Sequence, residues 1–124
     1  MTAVEVARRF FAAIAAGDEA TVRDCYAEHA VIWHNTDRTE QGRDDNLAVL
    51  RGFIARTSAR RYADARLLAT DEGFVQQHVL ECTRRDGRRL TLPACVICRV
   101  ENGKIMRLDE YFDEAPLKGW FDLG

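Results

Sequence analysis

The dipeptide Asn102-Gly103 constrains the fold of this 124-residue chain more than any other feature. Asn-Gly is the preferred sequence of the type I′ turn, because both central residues of that turn need a positive φ. The turn predicts a hairpin in which a strand at 91–100 pairs with a strand at 105–112. Alternate side chains of a strand point to the same face of the sheet. One face of the second strand therefore carries Met106, Leu108, Glu110 and Phe112.

Glu110 is the charged residue on that otherwise apolar face. An ionised carboxylate among apolar neighbours is costly unless it is paired or hydrated. Carboxylates in such surroundings cluster at functional sites. The sequence therefore predicts that Glu110 either takes part in a functional site or lies at the hydrated mouth of a cleft.

Length and composition predict one domain spanning residues 1–124. The chain is 47% hydrophobic and 31% charged, which is typical of a globular protein. Its formal net charge of −2 argues against nucleic-acid binding by the chain as a whole. No apolar run approaches the roughly 20 residues of a membrane-spanning helix, and the N-terminus lacks a signal-peptide pattern. We therefore expect a cytoplasmic protein with no nucleic-acid or membrane partner.

Hydrophobic periodicity predicts three helices followed by a run of strands. The helices are expected at about 2–16, 19–27 and 46–57, and the strands at 30–35, 62–69, 74–83, 91–100 and 105–112. We expect Asp44 or Asp45 to cap the third helix and residues 36–41 to form a loop. Three N-terminal helices packed on a strongly curved antiparallel sheet make an α+β fold, and a cleft between the two layers is the usual place for a small-molecule site.

The cysteines predict no disulfide framework and no metal site. Cys95 and Cys98 form a C-x-x-C inside a predicted strand, where their side chains point to opposite faces. No second Cys or His pair completes a zinc site. We expect all four cysteines to be reduced, buried, small apolar residues. Because glycine-rich phosphate loops and metal-ligand motifs are also absent from the sequence, we expect no metal and no cofactor.

Two further segments concentrate charge or aromatic residues. Four arginines surround the Asp86-Gly87 turn and predict a hairpin tip kept soluble by its charge: Arg84, Arg85, Arg88 and Arg89. The tail at 116–123 contains Trp120 and Phe121, and we expect these aromatic side chains to dock on another surface.

Four segments resemble the SnoaL-like branch of the NTF2-like superfamily, a group that includes polyketide cyclases, ketosteroid isomerases and limonene-epoxide hydrolases. The segments are Phe10-Phe11-Ala12-Ala13-Ile14-Ala15-Ala16-Gly17-Asp18, Tyr26-Ala27-Glu28-His29-Ala30, Gly103-Lys104-Ile105 and Glu110-Tyr111-Phe112-Asp113. The resemblance covers nearly the whole chain. It implies a cone of curved sheet closed by helices, and a homodimer formed through the outer face of the sheet. It implies less about activity, because this fold hosts many chemistries as well as non-enzymatic binders.

Position by position, the resemblance singles out His34 and Glu110. His34 falls where ketosteroid isomerases carry their catalytic base, and Glu110 falls where epoxide hydrolases carry a catalytic Asp. The resemblance also implies that the side chains of Gln77, Val79 and Glu81 face the cleft. Glu81 would then be either a second carboxylate there or the partner of a hairpin-tip arginine. His78 would lie on the outer, dimer-forming face.

The chain departs from both reactions of the family. Phe10 and Cys95 replace the oxyanion donors of the isomerases, which usually supply the largest catalytic effect. The Asp-Arg-Asp set of the epoxide hydrolases is incomplete, because Gln77 and Val79 stand at two of its positions.

From these residues we expect a cofactor-free enzyme acting on a small, largely apolar molecule. The reaction would be proton transfer, as in isomerisation or cyclisation, or water addition, as in epoxide hydrolysis. His34 would be the base or polariser, Glu110 its partner or a second acid–base group, and Gln77 an orienting group. The expected ligand-lining residues are Phe10, Ile32, Phe53, Val79, Cys95, Leu108 and Phe112. The alternative is a non-catalytic binding or interaction module, in which His34 and Glu110 bond only to structural partners.

Overall fold

A computed structural model describes residues 1–120 of the chain. The helices are α1 (Ala3–Ala16), α2 (Glu19–Cys25) and α3 (Arg43–Arg56). The strands are β1 (Tyr26–His34), β2 (Glu40–Gly42), β3 (Thr57–Ala69), β4 (Gly73–Arg84), β5 (Arg89–Glu101) and β6 (Lys104–Phe112). A short 3₁₀ turn, Ala115–Leu117, follows the last strand. The three helices pack on the six-stranded sheet, which confirms the predicted α+β class.

Helix α1 begins and ends where its sequence directs. Thr2 and Glu5 form a capping box at its start, and Gly17 ends it in the left-handed region with a φ of 74°. Its apolar stripe is buried against α2, β3 and β4. Within residues 1–120, no helix combines the length and the apolar character needed to cross a bilayer.

The sheet has the strand order β2-β1-β6-β5-β4-β3. Strands β3 to β6 form the expected antiparallel meander, and positive φ values at Asn102 and Gly103 (51° and 74°) confirm the hairpin turn. The expectation of a purely antiparallel sheet was wrong at one place, because β1 runs parallel to β6. Shifts of register, which bend strands and increase their twist, interrupt the β1–β6, β3–β4 and β5–β6 pairs. We call the side of the sheet that faces the helices the inner face and the other side the outer face.

Helix α3 differs from its prediction at its N-terminus. Gly42 is the N-cap and makes no side-chain capping bond, whereas Asp44 and Asp45 lie within the first turn. There the two carboxylates favour the helix through its dipole rather than by capping. The predicted loop also contains the short strand β2, which pairs with β1 at Trp33 and its neighbours.

The hairpin between β4 and β5 anchors the C-terminal segment. Arg84 is buried, pairs with Asp86, and donates to the main-chain carbonyl of Trp120 at 2.5 Å. Arg88 donates to the carbonyl of Gly119 at 2.9 Å. The sequence had predicted only that these arginines keep the tip soluble. Arg84 and Arg88 also hold the C-terminal segment through its main-chain carbonyls. The Trp120 side chain is buried, as expected for a docked aromatic residue, and Phe121 lies outside the described residues.

All four cysteines have free thiols. Cys25, Cys82 and Cys98 are buried, but Cys95 is only partly buried because its side chain is on the outer face. The expectation of four buried cysteines was therefore wrong at Cys95.

Candidate functional site

A cavity of about 570 Å³ lies between the helices and the inner face of the sheet. Its volume falls within the range of small-molecule sites in proteins. Most of its wall is aliphatic or aromatic. The polar and titratable side chains on the wall are Tyr26, His34, Asn46, Arg56, Tyr62, Glu110 and Trp120.

His34 and Glu110 meet on this wall because β1 and β6 are parallel neighbours. The strand register pairs the two residues directly, and His34 Nε2 lies 3.1 Å from Glu110 Oε1. Their side chains are 24% and 21% exposed, so both are mostly withdrawn from water but remain reachable from the cavity. The sequence correctly predicted that these two side chains face one cleft, and their catalytic role stays a prediction.

Asn35 fixes the ends of the two strands that carry this pair. Its backbone N–H donates to the Glu110 carbonyl at 3.0 Å. Its side-chain amide donates to the Phe112 carbonyl and accepts from the Phe112 N–H, both at 3.0 Å. Because these bonds continue the ladder beyond the last paired residues, the backbones beneath His34 and Glu110 are held together.

The surroundings of His34 raise its pKa. Burial alone would lower the pKa, but the hydrogen bond that His34 donates to Glu110 and the charge of that carboxylate outweigh burial. Glu110 thus makes the imidazole a stronger base than an isolated histidine.

Tyr26 and Tyr62 are two cavity residues that sequence reasoning missed. Tyr26 falls in the range predicted for the second helix, whereas in the structure it begins β1 and donates to Asn46 Oδ1 at 3.1 Å. Tyr62 was placed in a strand without a role. Burial raises the pKa of both phenols, and the charge of Glu110 adds to the effect. Both side chains therefore remain neutral across the physiological pH range.

Five of the seven expected ligand-lining residues border the cavity: Phe10, Ile32, Phe53, Leu108 and Phe112. Val79 and Cys95 do not, and neither does Gln77, the expected orienting group. Those three assignments were wrong because β4 and β5 present the opposite faces to the helices. Phe10 carries no donor and Cys95 faces outward, so neither of these positions offers an oxyanion donor.

The inward face of β4 instead carries Gln76 and His78, both buried. The Gln76 amide nitrogen lies 3.0 Å from His78 Nδ1. The His78 ring packs edge-on against Tyr62 and Phe11, and burial lowers its pKa. The prediction that His78 lies on the outer face was therefore wrong. Glu81 lies on the outer face rather than toward the cleft as expected, and it pairs with Arg61 at 3.2 Å rather than with a hairpin-tip arginine.

Within residues 1–120, no group of three or more His, Cys, Asp or Glu side chains converges in a way that could hold a metal ion.

Comparison with known protein families identifies one domain type over most of the chain. The SnoaL-like domain family matches residues 7–108, a range that includes His34 and ends two residues before Glu110. Curated protein sequences give no match.

Solved structures share the fold at low sequence identity. A proposed polyketide cyclase from Pseudomonas putida is 22% identical, with 97% of this chain and 96% of that chain covered and a TM-score of 0.79. An epoxide hydrolase of Mycobacterium tuberculosis is 20% identical, with 94% and 87% covered and a TM-score of 0.78. An NTF2-like protein of unknown function from Burkholderia pseudomallei is 21% identical, with 93% of each chain covered and a TM-score of 0.79.

Proposed function

This chain belongs to the SnoaL-like domain family, and on that premise we propose that it is a cofactor-free enzyme that moves a proton on a small, largely apolar molecule. The observation that carries the proposal is the bond of 3.1 Å between His34 Nε2 and Glu110 Oε1 on the wall of an otherwise apolar cavity. A histidine whose pKa is near neutrality and whose ring is held by a carboxylate is suited to general-base catalysis.

The geometry assigns different roles to the two nitrogens of His34. An ionised Glu110 accepts a hydrogen bond, so the proton of the neutral imidazole resides on Nε2. Nδ1 then has its lone pair free to take a proton from a substrate carbon next to a carbonyl group. Glu110 stabilises the imidazolium that results and holds the ring in place. The proton can then return to a different atom, which completes an isomerisation or prepares a ring closure.

Water addition is the second candidate. The same free nitrogen can take a proton from a water molecule instead of from a carbon, and the fold is shared with an epoxide hydrolase. Of the residues in β4, Leu80 is the one that lines the described cavity, so β4 adds no acid–arginine pair to the site. For that reason we favour proton transfer at carbon.

Deuterium exchange into 2-tetralone, an apolar bicyclic ketone, tests the proposed function without knowledge of the natural substrate. NMR in D₂O would follow loss of the acidic protons next to the carbonyl. We expect the wild-type protein to catalyse exchange. His34→Ala should catalyse it roughly 10²–10⁴-fold more slowly, which is the usual contribution of a general base.

The exposed His29 offers a matched control for the loss of a histidine, and His29→Ala should exchange at the wild-type rate. Equal rates for wild type and His34→Ala would contradict the proposal and favour the non-catalytic module. A large drop in melting temperature for His34→Ala would instead assign the pair a structural role.

We also propose that two copies associate through their outer sheet faces in the cytoplasm. Ile97 and Tyr111 are 42% and 47% exposed on that face, and Trp33 packs edge-on against Tyr111 with ring centroids 5.2 Å apart. These side chains flank Asp109, which is paired with Arg107 at 3.0 Å on the same face. A surface that combines apolar contacts with paired charges is a suitable interface for a second copy. Four free thiols are typical of a reducing compartment.

A further inference from the structure

We propose that the Tyr62 hydroxyl donates a hydrogen bond to the substrate oxygen that gains negative charge when His34 removes a proton. This inference rests on the proposed function and narrows the substrate class to apolar carbonyl compounds that have an acidic hydrogen on the neighbouring carbon.

The Tyr62 hydroxyl is free to bind a ligand. The side chain lines the cavity, and within residues 1–120 its oxygen makes no hydrogen bond to protein. The unpartnered side-chain atoms sealed inside the described part of the chain are His78 Nε2 and Trp120 Nε1, so the Tyr62 oxygen borders open space. By contrast, the Tyr26 hydroxyl is already engaged with Asn46.

The Tyr62 ring is held rigidly enough to act as a preorganised donor. It packs edge-on against Phe11 and His78, with ring centroids 5.0 Å and 4.6 Å apart. Gln76 in turn fixes His78, because its amide nitrogen lies 3.0 Å from Nδ1. When that amide donates to Nδ1, the His78 proton resides on Nε2, and the imidazole stays neutral and buried behind Tyr62. A donor fixed in this way needs no reorganisation as charge develops.

The state of Tyr62 also suits donation. Burial and the negative charge of Glu110 both raise its pKa, so the phenol keeps its proton. The Arg56 side chain also reaches the cavity wall, but it lies within 2.9 Å of where a Cβ on Gly52 would stand and so bends back along its own helix.

The proposed step balances in atoms and charge. His34 Nδ1 takes the proton as the C–H bond breaks, and the bonding electrons form a C=C bond. The electron pair of the C=O bond moves to the oxygen, which becomes an enolate oxygen. This oxygen accepts a hydrogen bond from the Tyr62 hydroxyl, which keeps its proton. The imidazolium then returns its proton to carbon, and the C=O bond is restored.

Binding of 2-naphthol, a stable enol with an apolar bicyclic body, tests the role of Tyr62 independently of turnover. Naphthalene is the matched ligand without the hydroxyl group, and affinities would be measured by fluorescence titration. In wild type we expect 2-naphthol to bind about tenfold more tightly than naphthalene, the effect of one good hydrogen bond. Tyr62→Phe should lose this gain and keep the wild-type affinity for naphthalene, which shows that the cavity is intact.

Tyr111→Phe removes a hydroxyl from an exposed tyrosine on the outer face and should keep the full gain. A gain that persists in Tyr62→Phe, or that is absent from wild type, would overturn the assignment of Tyr62. A different result would contradict the proposed function itself, namely wild-type protein that does not catalyse deuterium exchange into 2-tetralone. If exchange does occur, Tyr62→Phe should slow it roughly 10²–10³-fold, the usual cost of losing an oxyanion donor.

Discussion

The basicity of His34 depends mainly on Glu110, and the charge of Asp37 makes a smaller contribution in the same direction. Glu110 raises the pKa of the imidazole against the opposing effect of burial. Removing the charge of Glu110 while keeping its shape should therefore leave burial as the dominant influence. At the scale of the residue, the proposed chemistry is a property of this pair and not of either side chain alone.

We predict that Glu110→Gln lowers the pKa of His34, which NMR titration of the imidazole would report directly. Glu81→Gln, which removes an exposed carboxylate paired with Arg61 on the outer face, should leave the titration unchanged. The change also affects stability. Because the folded-state pKa of His34 is raised, its stabilising effect is fully present below the unfolded value near 6.5 and is lost as pH rises through the folded value.

The destabilisation caused by Glu110→Gln should accordingly be larger at about pH 5.5 than at about pH 8.5. Denaturant unfolding at the two pH values would measure it. A His34 titration that is the same in wild type and Glu110→Gln would show that the carboxylate does not tune the base.

At the scale of the element, strand β4 shows where sequence reasoning succeeded and where it failed. The strand itself was predicted within one residue at each end. Which side of the strand faces the helices was predicted wrongly, because both alternating sets of side chains mix apolar and polar residues. One set is Phe74, Gln76, His78, Leu80 and Cys82, and the other is Val75, Gln77, Val79 and Glu81. A shift of one residue exchanges the two sets, and the hydrophobic pattern alone does not choose between them.

Strand β6 was assigned correctly because its alternation is clearer. Met106, Leu108 and Phe112 define an apolar set with Glu110 as its polar exception, and the Asn102-Gly103 turn fixes the register. For a different reason, the position of Tyr62 on the cavity wall was not predicted. The register of strand β3 shifts between Ala63 and Arg66, and Asp64 has a positive φ of 52°, a local bend that no residue pattern in the segment signals.

Gly73, at the start of β4, is required by the close approach of β5. A Cβ at this position would lie 2.1 Å from the Cys98 carbonyl oxygen, which is backbone and cannot rotate away. We predict that Gly73→Ala destabilises the protein by about 1–3 kcal/mol through overpacking. Gly42→Ala is the control for adding a Cβ without a clash, because a Cβ there meets no atom within 4 Å. It should cost less than Gly73→Ala, since it loses only the better N-cap preference of glycine. Equal melting temperatures for the two variants would contradict this account of the β4–β5 contact.

At the scale of the whole molecule, the two faces of the sheet serve different purposes. The inner face and the helices enclose the cavity, and the C-terminal segment adds Leu117 and Trp120 to its wall. Arg84 and Arg88 hold this segment through main-chain carbonyls, a contact that the sequence pattern did not indicate because it depends on tertiary proximity. The outer face carries the exposed side chains of Ile97 and Tyr111 together with the Arg107–Asp109 ion pair.

If the outer face pairs with a second copy, sedimentation velocity should give a mass near twice the 14.1 kDa of one chain. Ile97→Lys would add an unpaired charge to this face and should shift the protein to the monomer. Val49→Lys replaces an exposed valine on α3, in the helical layer away from the outer face, and should leave the dimer intact. A wild-type protein that sediments as a monomer would remove the proposed interface.

The pH dependence of deuterium exchange into 2-tetralone tests the central claim most directly, because the rate depends on the protonation state of His34 during catalysis. For wild type we predict a rate that rises with pH as His34 loses its proton, with a midpoint above the ordinary histidine value of about 6.5. Glu110→Gln should move that midpoint to lower pH and reduce the maximal rate. A protein-catalysed rate whose midpoint is the same in wild type and Glu110→Gln would contradict the assignment of His34 and Glu110 as the proton-transferring pair.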